Sequence, residues 1–341
     1  MKPPYPLKDI AFQAGLSLAT VDRAVHQRPG VRQTTRLRID AAIAELDRQY
    51  AQSGLAGRRF VLDIVMETPQ RFSNAVRAAF EAELPGMRPA AFSARFHVAE
   101  TMNERDLIAI LKSIRRRGSH GVVLKVPATP AMSDMAGSLL EAGIPVVTLV
   151  TDLPAGMRTG YVGMDNHVAG ATAAYLLGRM AGPLPGKVLV ALSSAHFAGE
   201  EERERGFRRA LKERFPWLSA VTVSEGFGVD RTTRTIVRYA LESHPDIRAV
   251  YSIGGGNRAI RQAFAEQKRD CDIFAGHDLD SDNRQLLLNG DLTFVIHHDL
   301  RQDARSACQM VLAYHRMLPA DFRIAPSRVA IATPYDVGGE L

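Results

Sequence analysis

The segment LKDIAFQAGLSLATVDRAVHQRPGV, residues 7–31, predicts two short helices joined by a tight turn. The first helix should end at Gly15, because glycine enters the left-handed conformation without a Cβ penalty. Ser17 follows where a side-chain oxygen is needed to cap the next helix, and Val21 faces inward on that helix. Such a pair is typical of the helix-turn-helix, which places its second helix in the DNA major groove. An ordinary helical hairpin is the alternative that the spacing leaves open.

Positive charge is concentrated around this segment. The chain of 341 residues has a formal net charge of +6. Its first 60 residues hold ten lysines and arginines against five acids, which gives +5 and leaves +1 for the rest of the chain. Localised positive charge is the electrostatic footprint of a surface that binds phosphates. We therefore predict double-stranded DNA as a partner.

The segments LKDIAFQAGLSLATVDRAV and VRQTTRLRIDAAIAEL together resemble the N-terminal domain of LacI (lactose repressor) family transcription regulators. The second segment predicts a third helix, with Thr34 or Thr35 as its cap. The resemblance implies a homodimer that places one recognition helix in each half of a roughly palindromic operator. It also implies a small sugar-like effector that changes this binding, and we predict a repressor.

The resemblance assigns roles to residues of the second helix and its neighbours. Leu18 and Ala19 fall at the family's main specificity positions and offer apolar contacts, for instance to a thymine methyl group. Arg23 is predicted to contact bases or phosphates, while hydroxyl and imidazole groups hold phosphates and set the register. The predicted DNA contacts are Ser17, Leu18, Ala19, Thr20, Arg23, His26, Thr35 and Leu55.

The junction DRQYAQSGLAGRRF, residues 47–60, resembles the end of the family's hinge segment but lacks its proline. Leu55 matches the leucine that wedges into the minor groove, a device that kinks DNA. Gly54 costs roughly 1 kcal/mol of helix propensity relative to alanine, so we predict that a hinge helix forms only on DNA, if at all. The alternative for Leu55 is a linker residue packed on the larger domain.

From Phe60 onward, apolar strand-like runs alternate with amphipathic helical stretches, which predicts parallel sheets built of βαβ units. This part resembles the family's sugar-binding domain, which is shared with periplasmic sugar-binding proteins. The predicted fold class is an all-α helix-turn-helix head followed by an α/β domain of two parallel-sheet, Rossmann-like lobes with three crossovers. We place the crossovers near Tyr161, near residues 291–298 and near residues 318–323.

The predicted domains follow from these assignments. The DNA-binding domain is residues 1–50, the hinge or linker is residues 51–59, and the effector-binding and dimerisation domain is residues 60–341. Lobe 1 is predicted to hold about 60–160 and 297–320, and lobe 2 about 161–292 and 322–341.

Ligands of open α/β sheets bind outside the carboxyl ends of the strands, so the residues that follow the apolar runs form the candidate site. The resemblance adds two roles. In RERGF, Arg203 matches the arginine that clamps the effector, and Asp278 matches the carboxylate that accepts sugar hydroxyls. The predicted effector contacts are Glu67, Gln70, Arg71, Phe72, Lys125, Arg203, Gly255, Asn257, Asp278 and His298.

These assignments have structural alternatives. Arg203 could form surface ion pairs within EEERER, Asp278 could cap a helix, and the glycines of SIGGGNRAI could make a packing turn. Lys125 could face solvent at its strand end, Phe72 could belong to the core, and His298 could be structural. As a ligand site, the glycine-rich helix start would favour anions. With Lys125 and Arg203 it would bias the cleft positively, so we predict an anionic effector such as a sugar acid or sugar phosphate. Two carboxylates in the same set, those of Glu67 and Asp278, oppose that prediction.

Other classes of protein fit the sequence less well. Cys271 and Cys308 predict neither a disulfide nor a metal site, and no zinc or Gly-x-Ser-x-Gly spacing is present. We therefore predict no enzyme, no metal and no cofactor. No apolar run suits a signal sequence or a membrane span, which predicts a cytoplasmic protein without a membrane partner. The alternatives are a sugar-binding receptor or transport component without DNA function, and a sugar-processing enzyme.

Overall fold

The computed structural model describes residues 5–55, 57–88, 90–319 and 321–337, but not the side chains of residues 47–55. Its N-terminal helical unit has a hydrophobic core of its own. Helix α1 (Leu7–Ala14) ends at Gly15, whose φ of 60° is left-handed. Helix α2 (Leu18–Val25) begins after Ser17, whose hydroxyl accepts the backbone N–H of Thr20. With α3 (Gln33–Leu55) they bury Ile10, Ala11, Ala14, Val21, Ile39, Ala42 and Leu46. The predicted helix-turn-helix is confirmed.

Helix α3 differs from the prediction at both ends. It begins at Gln33, so Thr34 and Thr35 lie inside its first turn rather than capping it. It also continues through Leu55, so the first part of the predicted hinge, residues 51–59, is the end of this helix. The missing proline explains the continuation, because proline would have broken the helical hydrogen bonding there. The predicted minor-groove contact of Leu55 concerns a side chain outside the described part.

The first lobe is built on a parallel sheet. Within the described residues its strand order is β2-β1-β3-β4-β5. The strands are β1 (Arg59–Glu67), β2 (Ala91–Ala99), β3 (Gly121–Lys125), β4 (Val146–Leu149) and β5 (Gly160–Val162). Its helices are α4 (Gln70–Glu83), which runs into a short 3-10 turn at Leu84–Gly86, α5 (Glu104–Arg117) and α6 (Pro130–Glu141). The inner strands β1, β3 and β4 are buried almost throughout, as expected where both faces of a sheet are covered, whereas the edge strands β2 and β5 are partly exposed.

The second lobe is built on a larger sheet. Its order in the described chain is β11-β10-β9-β8-β6-β7, and only β11 runs antiparallel to its neighbour. The strands are β6 (Gly186–Ala191), β7 (Leu218–Val223), β8 (Ile247–Ser252), β9 (Ile273–His277), β10 (Phe294–His297) and β11 (Ala330–Ala332). The helices are α7 (Asn166–Ala181), α8 (Ala198–Arg214), α9 (Asp230–Ser243), α10 (Asn257–Glu266) and α11 (Ser281–Leu288).

The chain passes between the lobes three times within its described residues. It leaves the first sheet after β5, returns after β10, and leaves again before β11. Helix α12 (Leu300–Tyr314) packs its Ala304, Cys308 and Val311 into the core of the first lobe. The predicted two-lobe fold class is therefore confirmed. No described helix is long and apolar enough to cross a membrane.

Close packing of α7 against α8 fixes the part of the second lobe that carries Arg203. A Cβ atom at Gly170 would lie 1.9 Å from the carbonyl oxygen of Arg203, and one at Gly206 would lie 2.3 Å from that of His167. Only glycine lets the backbones of α7 and α8 lie this close together. Phe207, next along α8, is fully buried and stacks on Tyr251 with ring centroids 4.8 Å apart. The glycine and the phenylalanine of RERGF thus hold their arginine in place.

Candidate functional site

A cavity of about 50 Å³ lies between the two lobes, lined by residues of both. In the first lobe its walls come from the ends of β1, β3 and β4, and in the second lobe from the ends of β6, β8 and β9. All of these are carboxyl ends of parallel strands, where the topology of α/β sheets leaves a crevice. The cavity therefore lies at the edge of both sheets that the strand-end rule indicates.

The structure brings most of the predicted effector contacts together at this cavity. Its lining includes Glu67, Arg71, Phe72, Lys125, Arg203, Gly255 and Asp278.

Gln70, Asn257 and His298 take other positions. Gln70 is exposed at the start of α4, where its backbone N–H donates to Glu100. Asn257 is buried and donates from Nδ2 to Oδ1 of Asn283 at 2.6 Å, which joins α10 to α11. His298 is buried with its Nδ1 2.7 Å from Oδ2 of Asp303. None of these three described side chains lines the cavity, and each has a structural contact instead.

Several lining residues were missed from the sequence, among them Ser193, Phe197, Glu200, Phe227, His277 and Asp280. Ser193 and Asp280 follow strand ends, so the same rule would have found them. Glu200 lies in the acid-rich run EEERER, where sequence gives no sign of which carboxylate faces inward. Its carboxylate accepts the backbone N–H of Ser193 at 2.7 Å and the Ser193 hydroxyl at 2.5 Å. Burial raises the pKa of Glu200 above its usual value.

Lys125 projects into the cavity from the end of β3. Its Nζ donates to the backbone carbonyl of Glu67 at 3.4 Å and lies 4.4 Å from the centre of the Phe197 ring. The Phe72 ring is 5.6 Å away on another side, so the ammonium group lies near two aromatic faces. Burial lowers the pKa of Lys125, and the carboxylates of Glu200 and Asp278 oppose that effect.

Arg203 is buried and only partly satisfied. Its Nε donates to Oδ1 of Asn166 at 2.8 Å, while its Nη2 has no hydrogen-bond partner among the described residues. Other buried polar atoms of the same lining also lack a hydrogen-bond partner in the described structure: Oε2 of Glu67, Oδ1 of Asp278 and both ring nitrogens of His277. Nδ1 of His277 and Oδ1 of Asp278 lie 3.7 Å apart. Buried polar groups are nearly always hydrogen-bonded. The lining therefore presents donors and acceptors suited to a small ligand with several hydroxyl groups.

The lining holds more acidic than basic side chains, whereas the sequence prediction assumed a positive bias. Among the described lining residues, the carboxylates of Glu67, Glu100, Glu200, Asp278 and Asp280 outnumber the cationic groups of Arg71, Lys125 and Arg203. His277 adds no positive charge near neutral pH, because burial lowers its pKa to about 4. Burial opposes ionisation of Asp278, but His277 and Arg203 outweigh it and lower the pKa of that carboxyl. The acids come from four separate chain segments, so their proximity was not visible in the sequence.

The glycine run before α10 makes a packing turn. A Cβ atom at Gly254 would lie 1.9 Å from the backbone nitrogen of Ser193, and one at Gly255 would lie 2.0 Å from Nη2 of Arg71. Gly255 and Gly256 both have positive φ, at 84° and 75°. The structural alternative for SIGGGNRAI is therefore the one that the geometry matches.

The outer face of α2 is a candidate DNA interface. Leu18 is 53% exposed, and Ala19 and Arg23 are also exposed, while Val21 of the same helix is buried. Asp22 pairs with Nδ1 of His26 at 3.0 Å and accepts from Nη1 of Arg28 at 2.9 Å. Thr20 and Thr35 are half-buried, and Ser17 is exposed. The residues predicted to read bases are thus the ones that the helix presents outward.

Comparisons with known families match both parts of the chain. The model of bacterial regulatory proteins of the lacI family matches residues 6–49. The model of the periplasmic binding protein domain matches residues 65–316. A search of curated proteins found no significant match.

Solved structures share the fold of the large domain. A glucose-galactose binding protein, GanP, from Geobacillus stearothermophilus has a TM-score of 0.72 at 18% identity, over 82% of this chain and 99% of that one. An ABC transporter solute binding protein from Bacillus halodurans with bound myo-inositol has a TM-score of 0.70 at 16% identity, over 83% and 96%. A periplasmic solute binding protein from Actinobacillus succinogenes with bound D-allose has a TM-score of 0.68 at 14% identity, over 82% and 99%.

Proposed function

The chain belongs to the LacI family of bacterial regulatory proteins with a periplasmic binding protein domain, and from this premise we propose that it represses transcription under the control of a neutral, sugar-like polyol. DNA binding and regulation are properties of the family. The repressor role, the homodimer, the class of effector and the individual contact residues belong to the proposal.

One observation carries the effector proposal: unpartnered buried donors and acceptors share one cavity. Among the described groups, Nη2 of Arg203 needs an acceptor, while Oε2 of Glu67 and Oδ1 of Asp278 need donors. A hydroxyl group both donates and accepts, so one polyol can satisfy all three. The rings of Phe72 and Phe197 supply the apolar surface that the carbon-bound face of such a ligand requires.

The excess of carboxylates favours a neutral polyol over the anionic effector predicted from the sequence. A sugar acid or sugar phosphate would bring negative charge beside several buried carboxylates, and like charges in such a site are strongly unfavourable. The related structures with glucose-galactose, myo-inositol and D-allose in their descriptions involve neutral compounds, which supports the same class.

Effector binding would act on DNA through the lobes. A polyol held by residues of both lobes stabilises their closed arrangement, and this arrangement sets the spacing of the two helix-turn-helix units in a homodimer. Any such coupling is reciprocal, so operator DNA changes effector affinity by the same factor. A receptor without DNA function fits less well, because α2 presents Leu18, Ala19 and Arg23 outward.

A thermal-shift screen tests the effector class. The full chain is heated with D-glucose, myo-inositol, gluconate and glucose 6-phosphate, each over a range of concentrations. A ligand at a hundred times its dissociation constant adds about 2.7 kcal/mol to the free energy of unfolding, which raises the melting temperature measurably. We expect stabilisation by a neutral compound, its loss in Arg203→Ala, and its retention in Arg205→Ala, an exposed arginine of the same helix.

Two results would overturn parts of this proposal. Stabilisation by gluconate or glucose 6-phosphate alone would contradict the neutral class. Equal stabilisation of the wild type and Arg203→Ala would contradict the assignment of the site to this cavity.

A further inference from the structure

One side chain of the first lobe reaches across the cavity and contacts the second lobe. Arg71, near the start of α4, places its Nε 3.0 Å from Oδ2 of Asp280. Its Nη1 donates to the backbone carbonyl of Gly228 at 3.2 Å. The side chain of Asp280 is 4% exposed and that of Arg71 is 19% exposed, so the ion pair is largely shielded from water.

The second lobe is shaped around this guanidinium group. Gly228 follows β7, Gly255 follows β8 and Asp280 follows β9, so three strand-end loops meet one arginine. A Cβ atom at Gly255 would lie 2.0 Å from Nη2 of Arg71, and one at Gly228 would lie 3.1 Å from it. Both glycines have positive φ, at 84° and 62°. Side chains at either position would push the arginine away.

Asp280 has a second contact that holds it in place. It caps α11, and its Oδ1 accepts the backbone N–H of Asn283 at 2.8 Å. The other oxygen, Oδ2, is the one that meets Arg71. The carboxylate is therefore fixed by its own lobe and aimed at the opposite lobe. Each of the two carboxylate oxygens thus has a partner among the described protein groups.

We propose that Arg71, Asp280, Gly228 and Gly255 form a clasp that must break before the cavity opens, and that Arg71 thereby determines which ligands enter. Separation of the lobes pulls the arginine away from all three loops at once. While the clasp is closed, the cavity of about 50 Å³ admits only small groups. Its role toward an effector rests on the proposed function, but its control of access does not.

The test measures access to the cavity without any effector. Ser193 is buried in the lining, and the thiol introduced by Ser193→Cys serves as the probe. Its rate of alkylation by iodoacetamide, and by a bulkier maleimide, is measured in the full chain by mass spectrometry of peptides. This substitution is combined in turn with Asp280→Asn, Arg71→Gln and Asp282→Asn.

Asp282→Asn is the control, because it removes the carboxylate of an ion pair near Asp280 that does not join the two lobes. Asp282 lies on the same helix as the Asp280 cap and accepts from Nη2 of Arg258 at 3.2 Å, a pair contained within the second lobe. Asn also caps helices well, so Asp280→Asn keeps the start of α11. Cys308 lies in the core of the first lobe with no exposed surface. Alkylation of Cys308 would therefore report unfolding rather than opening.

We expect Asp280→Asn and Arg71→Gln each to raise the alkylation rate at position 193 by about tenfold or more, because the closed arrangement would then bury one charge without its partner. The increase should be greater for the bulky reagent, and Asp282→Asn should match the parent. Rates equal in all variants, or a rise confined to molecules also alkylated at Cys308, would overturn the clasp. Failure of every polyol to bind would leave this result unchanged and would instead contradict the proposed effector.

Discussion

Arg203 and Asn166 are joined by a hydrogen bond of 2.8 Å from the guanidinium Nε to the amide Oδ1. The Nδ2 of the same amide donates to the hydroxyl of Tyr161 at 3.3 Å, in the last strand before the first crossover. It also approaches the carbonyl of Val150 at 3.4 Å. Val150 has a φ of 65°, which is unfavourable for a β-branched residue. The arginine proposed to bind the effector is thus tied to the point where the chain passes between lobes.

Substitution of Asn166 should weaken effector binding without unfolding the protein. Asn166→Ala removes the acceptor that orients Arg203, and a hydrogen bond to a charged group contributes about 1.5–3 kcal/mol. We expect the dissociation constant for the neutral polyol found in the screen to rise roughly tenfold or more, as measured by isothermal titration calorimetry. His167→Ala, at an exposed neighbouring position, is the control. An unchanged affinity in Asn166→Ala would contradict the positioning role.

Acid should destabilise the fold through His277. Burial lowers the pKa of its folded-state imidazole to about 4 from an ordinary value of 6.5. A lowered histidine pKa means that the unfolded chain binds the proton first. The free energy of unfolding therefore keeps its full value with respect to His277 above pH 6.5. It falls as the pH drops toward 4, by roughly 3 kcal/mol in all.

Denaturant unfolding at pH 7 and pH 4.5 checks this expectation. The free energy of unfolding should fall more for the wild type than for His277→Gln, because glutamine takes up no proton in this pH range. The same fall in both proteins would show that His277 is not the source of the acid sensitivity.

The contact between α7 and α8 should not tolerate a methyl group. Gly206→Ala places a Cβ atom against the carbonyl of His167, and overpacking of this kind costs about 1–3 kcal/mol. Gly186→Ala is the control, because the nearest atom to its Cβ would be 3.9 Å away. We expect thermal unfolding to show a lower melting temperature only for Gly206→Ala. Equal melting temperatures would mean that the helices separate without strain.

Substitutions at two residues of α2 should distinguish base recognition from electrostatic binding to phosphates. Arg23→Ala removes an exposed cation, so if it contacts a phosphate the slope of log affinity against log salt should fall by about 1. Leu18→Gln removes no charge and should alter the preferred base while leaving the salt slope unchanged. Fluorescence anisotropy with labelled DNA at several salt concentrations measures both. A change of slope in Leu18→Gln would contradict its assignment to an apolar base contact.

The sequence predicted those parts of the molecule that depend on local pattern. Gly15 and Ser17 mark the turn of the helix-turn-helix because one needs a left-handed backbone and the other supplies a cap. The residues after apolar runs, such as Glu67, Lys125 and Asp278, reached the cavity because the carboxyl ends of parallel strands share an edge. Helix α3 runs beyond the predicted domain boundary at residue 50, where the proline of the family's hinge segment is absent from this chain.

Properties that depend on contacts between residues far apart in the sequence could not be predicted. Arg203 and Glu200 lie on one charged helix, and only the packing of Gly206 on α7 decides that both face inward. His298 was expected at the ligand, but Asp303 of α12 lies beside it and binds its imidazole. The excess of acidic over basic side chains around the cavity results from acids on four separate segments. Arg71 was correctly placed at the cavity, but its partner Asp280 in the other lobe was missed.

The most direct test of the whole account is the effect of a polyol on DNA binding. An operator is selected from random double-stranded DNA with the full chain, and its affinity is measured by anisotropy with and without the stabilising neutral compound. We predict salt-sensitive binding whose dissociation constant changes about tenfold or more with the polyol, and no such change in Arg203→Ala. Operator affinity that is indifferent to a polyol bound in the cavity would contradict effector control of this regulator.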